Sequence, residues 1–264
     1  MKQTIQTTTL PTYTKKQKQI IDYLYQFRFL NTKHFQKLFN HKDPHRIKAW
    51  LKDLVDKQYL ESDYKKNVFP QKPGVYSLTK IARKLLKQDK DSSLSVLDLV
   101  YRRKGLSEQF INHHLTIADI YLFFLSQKEK NSKLQFFTKY DLVEYEYLKP
   151  LALDAYIATK TKEETTRYFL HLFDPYTPPF VYRKKVKKYL KYYDEDTWKE
   201  NTKDPTFPAV LFICHSEAAK KHVMHFAKAV LEREYEKKYS LYVTTMKIIL
   251  SGTDKIWGEV KYFS

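Results

Sequence analysis

The chain has 264 residues, with 48 Lys and Arg against 30 Asp and Glu, and a formal charge of +18. One cysteine, Cys214, excludes an intramolecular disulfide framework and a cysteine zinc cluster, and four glycines leave no glycine-rich phosphate loop for a nucleotide-driven motor. The longest wholly apolar run, AVLFIC at 209–214, is too short to span a bilayer and MKQTIQTTTLP lacks the apolar core of a signal peptide, so a soluble cytoplasmic protein with no membrane partner is expected.

The length favours two domains. Residues 1–90 hold 20 basic and 7 acidic side chains, a net of +13, whereas residues 91–264 hold 28 and 23, a net of +5. This skew points to a polyanion, nucleic acid first, contacted mainly by the N-terminal third. The stretch KQDKDSSLSVLD (87–98) mixes charges with serines and reads as a boundary. The expected division is a domain over 1–90, a linker over 91–104 and a domain over 105–264.

YTKKQKQIIDYLYQF (13–27) predicts a helix capped by Thr14, with Ile20, Ile21, Leu24 and Phe27 inward. NTKHFQKLF (31–39) predicts a short second helix capped by Asn31 or Thr32. DPHRIKAWLKDLVDKQYL predicts a third, with Asp43 as cap and Pro44 in the first turn, and Ile47, Trp50, Leu51, Leu54 and Val55 on one face. Its other face carries His45, Arg46, Lys48 and Lys52, the pattern of a helix reading a DNA groove. YLESDY and VYSLT then predict a hairpin around a basic loop with Lys65, Lys66 and Lys72, and KIARKLLKQ another helix. Helix, helix, helix, hairpin, helix is the order of a winged helix-turn-helix.

GLSEQFINHHLTIADIYLFFLSQKEK (105–130) predicts a long helix capped by Ser107. Its adjacent His113 and His114 point in different directions and make a poor joint metal site. Three strands follow in LQFFTKYDLVEYEY, LALDAYIAT and TRYFLHLFD, then a helix over 181–196, a buried strand FPAVLFICH, a helix SEAAKKHVMHFAKAVLEREYEKK and a last strand LYVTTMKIIL. The fold class is therefore α+β: a winged helix-turn-helix followed by an α/β domain with a mixed central sheet. The helix over 181–196 carries Arg183, Lys184, Lys185, Lys187, Lys188 and Lys191 interleaved with Tyr182, Tyr189, Tyr192 and Tyr193, a pattern suited to a phosphate backbone. His222 and His225 are three apart on a helix, but no third metal ligand accompanies them, and no metal site is assigned.

The order helix, three strands, helix, strand, helix, strand resembles the restriction-endonuclease-like, or PD-(D/E)XK, nuclease fold. In active members an aspartate on the second strand and an acid-x-lysine on the third hold and use Mg²⁺. Here LALDAYI supplies Asp154, but the third strand offers His171, Leu172 and Phe173. A rearranged Mg²⁺ nuclease would draw on Asp154, Asp174 and Lys184 or Lys185. Without that rearrangement the domain is inactive and needs no cofactor.

The whole chain also resembles the replication-relaxation family of plasmid and mobile-element proteins. The resemblance lies in the winged-helix opening, in His113-x-x-x-x-x-Asp119 or its one-residue shift at His114, and in LALDAYI for a Pro-Asp-Ala pattern. It continues through YFLHLFDPYT for a strand ending in Glu-x-Asp-x-x-Thr, KKVKKYLKYY and FPAVLFICHSEAAKK. Asp154, Asp174, Thr177, Lys185 and Tyr189 match family positions, and Leu172 replaces an acid. The resemblance implies a double-stranded-DNA-binding accessory protein at an origin of replication or transfer, assisting a relaxase or replication initiator. Phosphate contacts from Arg183, Lys184 and Lys187 and a homodimer are further expectations, and a regulator of transfer genes is the other non-enzymatic reading.

Overall fold

Thr14 shows how the first helix begins. Its hydroxyl accepts from the Gln17 N–H, and the Gln17 side chain accepts from the Thr14 N–H, so two backbone donors are satisfied reciprocally ahead of α1 (Lys15–Phe27). The structure is a computed structural model, and it describes residues 10–63, 73–88, 96–97, 106–233, 239–251 and 256–260. After α1 come β1 (Leu30–Asn31), α2 (Thr32–Leu38) capped by Asn31, and α3 (Pro44–Asp56), whose Asp43 cap accepts from the His45 N–H. β2 (Leu60–Asp63) and β3 (Val75–Leu78) are antiparallel, and β1 adds to the far edge of β3, giving a small sheet in the order β1–β3–β2. Thr79 then caps α4 (Lys80–Leu86). The expected element order is present, with β1 in addition.

Ile20, Ile21 and Leu24 of α1, Phe35 of α2 and Ile47, Leu51 and Leu54 of α3 have no exposed surface. Gln17 bridges two of these helices from within, donating to Asp53 of α3. Aliphatic burial of this kind supplies about 25 cal/mol per Å² and holds α3 mainly by its inner face.

The chain divides into two compact units, Met1–Ala118 and Asp119–Ser264, and the division falls inside α5 (Glu108–Gln127), whose Phe110 N–H donates to the predicted cap Ser107. The second unit continues with β4 (Lys133–Thr138), a 3-10 helix (Glu146–Leu151), β5 (Ala155–Lys160), β6 (Thr165–Phe173), α6 (Pro179–Asp194), α7 (Thr197–Asn201), β7 (Ala209–Cys214), α8 (Glu217–Leu231), β8 (Leu241–Thr245), α9 (Met246–Ser251) and β9 (Gly258–Glu259). The sheet order is β4–β5–β6–β7–β8–β9. The first three strands form an antiparallel meander, β6, β7 and β8 run parallel, and β9 closes antiparallel. The parallel pairs are joined through helices, as parallel pairing requires. The protein is α+β, with a mixed six-stranded sheet in this unit and the small antiparallel sheet in the first.

Two predicted strands are shorter than the sequence pattern suggests. β4 ends at Thr138 because Asp141 accepts both the Thr138 N–H and its hydroxyl, closing a turn. LYVTTMKIIL divides into β8 and α9, with the Thr245 hydroxyl accepting from the Ile248 N–H at the start of the helix. None of the described helices is long and apolar enough to cross a membrane.

Candidate nucleic-acid interface and the Asp154 cluster

On α3 the apolar and basic residues separate as the 3.6-residue period demands. Ile47, Leu51 and Leu54 are buried, and His45, Arg46, Lys48 and Lys52 are exposed. Lys48 and Lys52 have no carboxylate partner among the described residues. Arg46 lies over the Trp50 ring at 5.3 Å, and Trp50 in turn meets the edges of Phe39 and His41. The predicted inward Trp50 is thus half-buried at the rim, bracing α3 against the end of α2. Lys65, Lys66 and Lys72 of the basic loop lie outside the described residues.

In the second unit Asp154 sits just before β5, beside the carboxyl end of β6. Its carboxylate accepts from the Leu172 N–H at 2.8 Å and lies 3.8 Å from Nδ1 of His171. His171 is 1 % exposed, and its Nε2 is 2.8 Å from the hydroxyl of Tyr189 on α6. A carboxylate facing Nδ1 favours the proton there, so Nε2 accepts from the Tyr189 O–H. Burial, reinforced by the nearby Lys185 and Lys188 charges and opposed by Asp154, pushes His171 down to about 3, so the imidazole is neutral. Burial likewise raises the Tyr189 phenol well above its ordinary value.

Lys185 is the fourth member. Its ammonium donates to the carbonyls of Leu151 at 2.7 Å and Ala152 at 3.0 Å, at the end of the 3-10 helix where carbonyl dipoles favour a cation. Ala152 has φ 47°, a left-handed conformation that disfavours alanine, and the lysine ties this bend directly before Asp154. Burial brings Lys185 down to about 8, with Asp154 holding it up and Lys188 acting against it.

These donors do not fit a magnesium ion. Mg²⁺ takes hard oxygen ligands, and one carboxylate here faces a neutral imidazole while the lysine is engaged by backbone carbonyls. Strand alternation also turns the Leu172 side chain to the face opposite His171, so a carboxylate at 172 would point away from Asp154. Asp174 lies beyond the end of β6, where its carbonyl accepts from the Thr177 N–H. Among the described residues, no group of three or more His, Cys, Asp or Glu side chains is placed to hold a metal.

A family model for replication-relaxation proteins matches residues 21–210, most of the chain. The chain belongs to the replication-relaxation family. Membership associates it with replication or with the relaxation of mobile elements. No curated protein and no solved structure matches it.

The remaining predicted positions of this replication-relaxation protein separate clearly. Arg183, Lys184 and Lys187 are exposed on α6, whereas Tyr182, Tyr189 and Tyr192 are at most 3 % exposed and form core rather than surface. They follow the same helical stripe as Val186 and Leu190, which the alternation of aromatic and basic letters concealed. At the start of α6 the exposed rings are instead Tyr176 and Phe180, which the sequence pattern did not single out. His114 is buried with Nδ1 2.8 Å from the Phe110 carbonyl, a helix-internal bond. His222 packs against the Tyr182 ring while His225 is exposed, so the two share no site. Cys214 is fully buried, and burial pushes its thiol up to about 12, leaving it unreactive.

Proposed function

We propose that this replication-relaxation protein is a double-stranded-DNA-binding accessory factor acting at an origin of replication or transfer. The first unit serves as a winged helix-turn-helix, α3 enters the major groove, and the second unit assists a relaxase or replication initiator without cleaving DNA itself. The observation that carries this reading is the division of α3 between a closed aliphatic face and an outer face of His45, Arg46, Lys48 and Lys52. A helix held entirely from inside is free to present its outer side chains to a groove, with cations available for phosphates. The Asp154 cluster supports the non-enzymatic part, because its polar groups are engaged with one another and with backbone.

The test is a binding titration of the full chain with plasmid and genomic fragments over a range of salt, followed by footprinting. Affinity that falls steeply with salt and a protected origin support the proposal. No fragment preference with no salt dependence overturns it, and a footprint confined to a promoter moves the protein to gene regulation.

A further inference from the structure

The start of α6 combines two features that a solvated helix does not need. Tyr176 and Phe180 are 72 % and 50 % exposed, large rings left in water on the turn leading into the helix and on its first turn. Immediately beyond them Arg183, Lys184, Lys187 and Lys188 are all exposed. None of these four has a carboxylate partner among the described residues, and the Lys184 ammonium lies 5.5 Å from the Phe180 ring. Lys191, one turn further, is paired with Glu195 at 3.5 Å.

Arg183 with Lys187, and Lys184 with Lys188, are like charges at i,i+4, an arrangement that destabilises an isolated helix. A polyanion lying along the helix removes that repulsion. Phe180, Lys184 and Lys187 share one helical face, and Phe180 to Lys188 spans about 12 Å of axis, a length suited to a short nucleotide tract. The location is the carboxyl end of β6, next to the parallel strands β7 and β8, the edge where open α/β sheets receive ligands.

We infer that Tyr176, Phe180 and the cations Arg183, Lys184, Lys187 and Lys188 form a binding site for single-stranded nucleic acid, with unstacked bases on the two rings and phosphates on the helix. Rings distinguish this site from α3. A duplex keeps its bases stacked internally and offers none to an exposed ring, whereas every base of a single strand has a free π-face. The site extends the nucleic-acid reading of this basic chain, but it does not depend on α3 binding duplex.

The experiment uses the full chain and fluorescein-labelled oligonucleotides of about 15 nucleotides, single-stranded and duplex, by anisotropy. Tyr176→Ala with Phe180→Ala is expected to raise the dissociation constant for the single strand about tenfold and to leave duplex binding unchanged. Phe180→Trp, which keeps a stacking surface, retains single-strand binding. Lys48→Ala with Lys52→Ala does the reverse of the ring variant, weakening duplex binding alone. The inference is overturned if the ring variant binds the single strand as tightly as the parent, or if it loses both forms in parallel. Loss of single-strand binding in the α3 variant, or displacement of the oligonucleotide by polyglutamate at equal charge concentration, overturns it as well.

Discussion

α3 and α6 present similar outer faces and differ in what lies behind them. Both open with proline in the first turn and both set exposed cations toward solvent. Behind α3 are mainly aliphatic side chains, with the Gln17–Asp53 hydrogen bond joining it to α1. Behind α6 are Tyr182, Tyr189 and Tyr192, with His171 and Asp154 reached through Tyr189 and with Lys185 turned inward. The contrast teaches that a basic helix is defined by its buried face as much as its charged one: the first is a presented surface, the second also closes a polar cluster.

The sharpest way to break the comparison is to damage each inner face. Leu51→Ala in α3 removes a side chain with no exposed surface and should destabilise the first unit by about 2–5 kcal/mol, read from denaturant unfolding. Tyr189→Phe in α6 leaves the buried His171 Nε2 without its donor and should cost about 1–3 kcal/mol.

His171 gives the second unit a pH signature. Its folded value of about 3 lies below the ordinary value of 6.5, so below pH 6.5 the unfolded chain binds a proton that the folded chain refuses. Stability contributed by the neutral imidazole is present above pH 6.5 and falls by about 1.4 kcal/mol per unit as pH drops toward 3. His171→Gln should flatten that part of the pH–stability profile.

Smaller effects are expected at the outer face of α3. Asp43→Ala removes the cap and should cost about 1 kcal/mol in melting or denaturant experiments. Lys48→Ala with Lys52→Ala should change stability by less than about 0.5 kcal/mol, yet lower the salt slope of duplex binding by about two. A large loss of stability in this last variant would remove the distinction between a holding face and a presenting one.

Much of this was legible in sequence, for reasons visible at particular residues. Thr14, Asn31, Asp43 and Ser107 cap their helices because short side-chain oxygens satisfy backbone donors where they precede an apolar stripe. The helical period of Ile47, Leu51 and Leu54 fixed which side of α3 is free. Other features depend on residues distant in the chain. Tyr189 reads as surface among lysines, and only the register of α6 over β6 brings it to His171, 18 positions away. Lys185 is one cation among six in the sequence, and its inward turn depends on the bend at Ala152, 33 residues earlier. The side of the sheet on which Leu172 falls follows from the pairing of Ala155 with Leu170, a register no local pattern supplies.

The bend at Ala152 sets how much would have to change before this cluster could hold a magnesium ion. Lys185 holds the carbonyls that position Asp154, so a lysine recruited to chemistry would have to release the chain segment that carries the carboxylate. An acid introduced at 172 would emerge on the wrong face, and one introduced at 171 would displace the imidazole that Tyr189 and Asp154 enclose. A metal site here therefore requires several coordinated changes, each unfavourable alone.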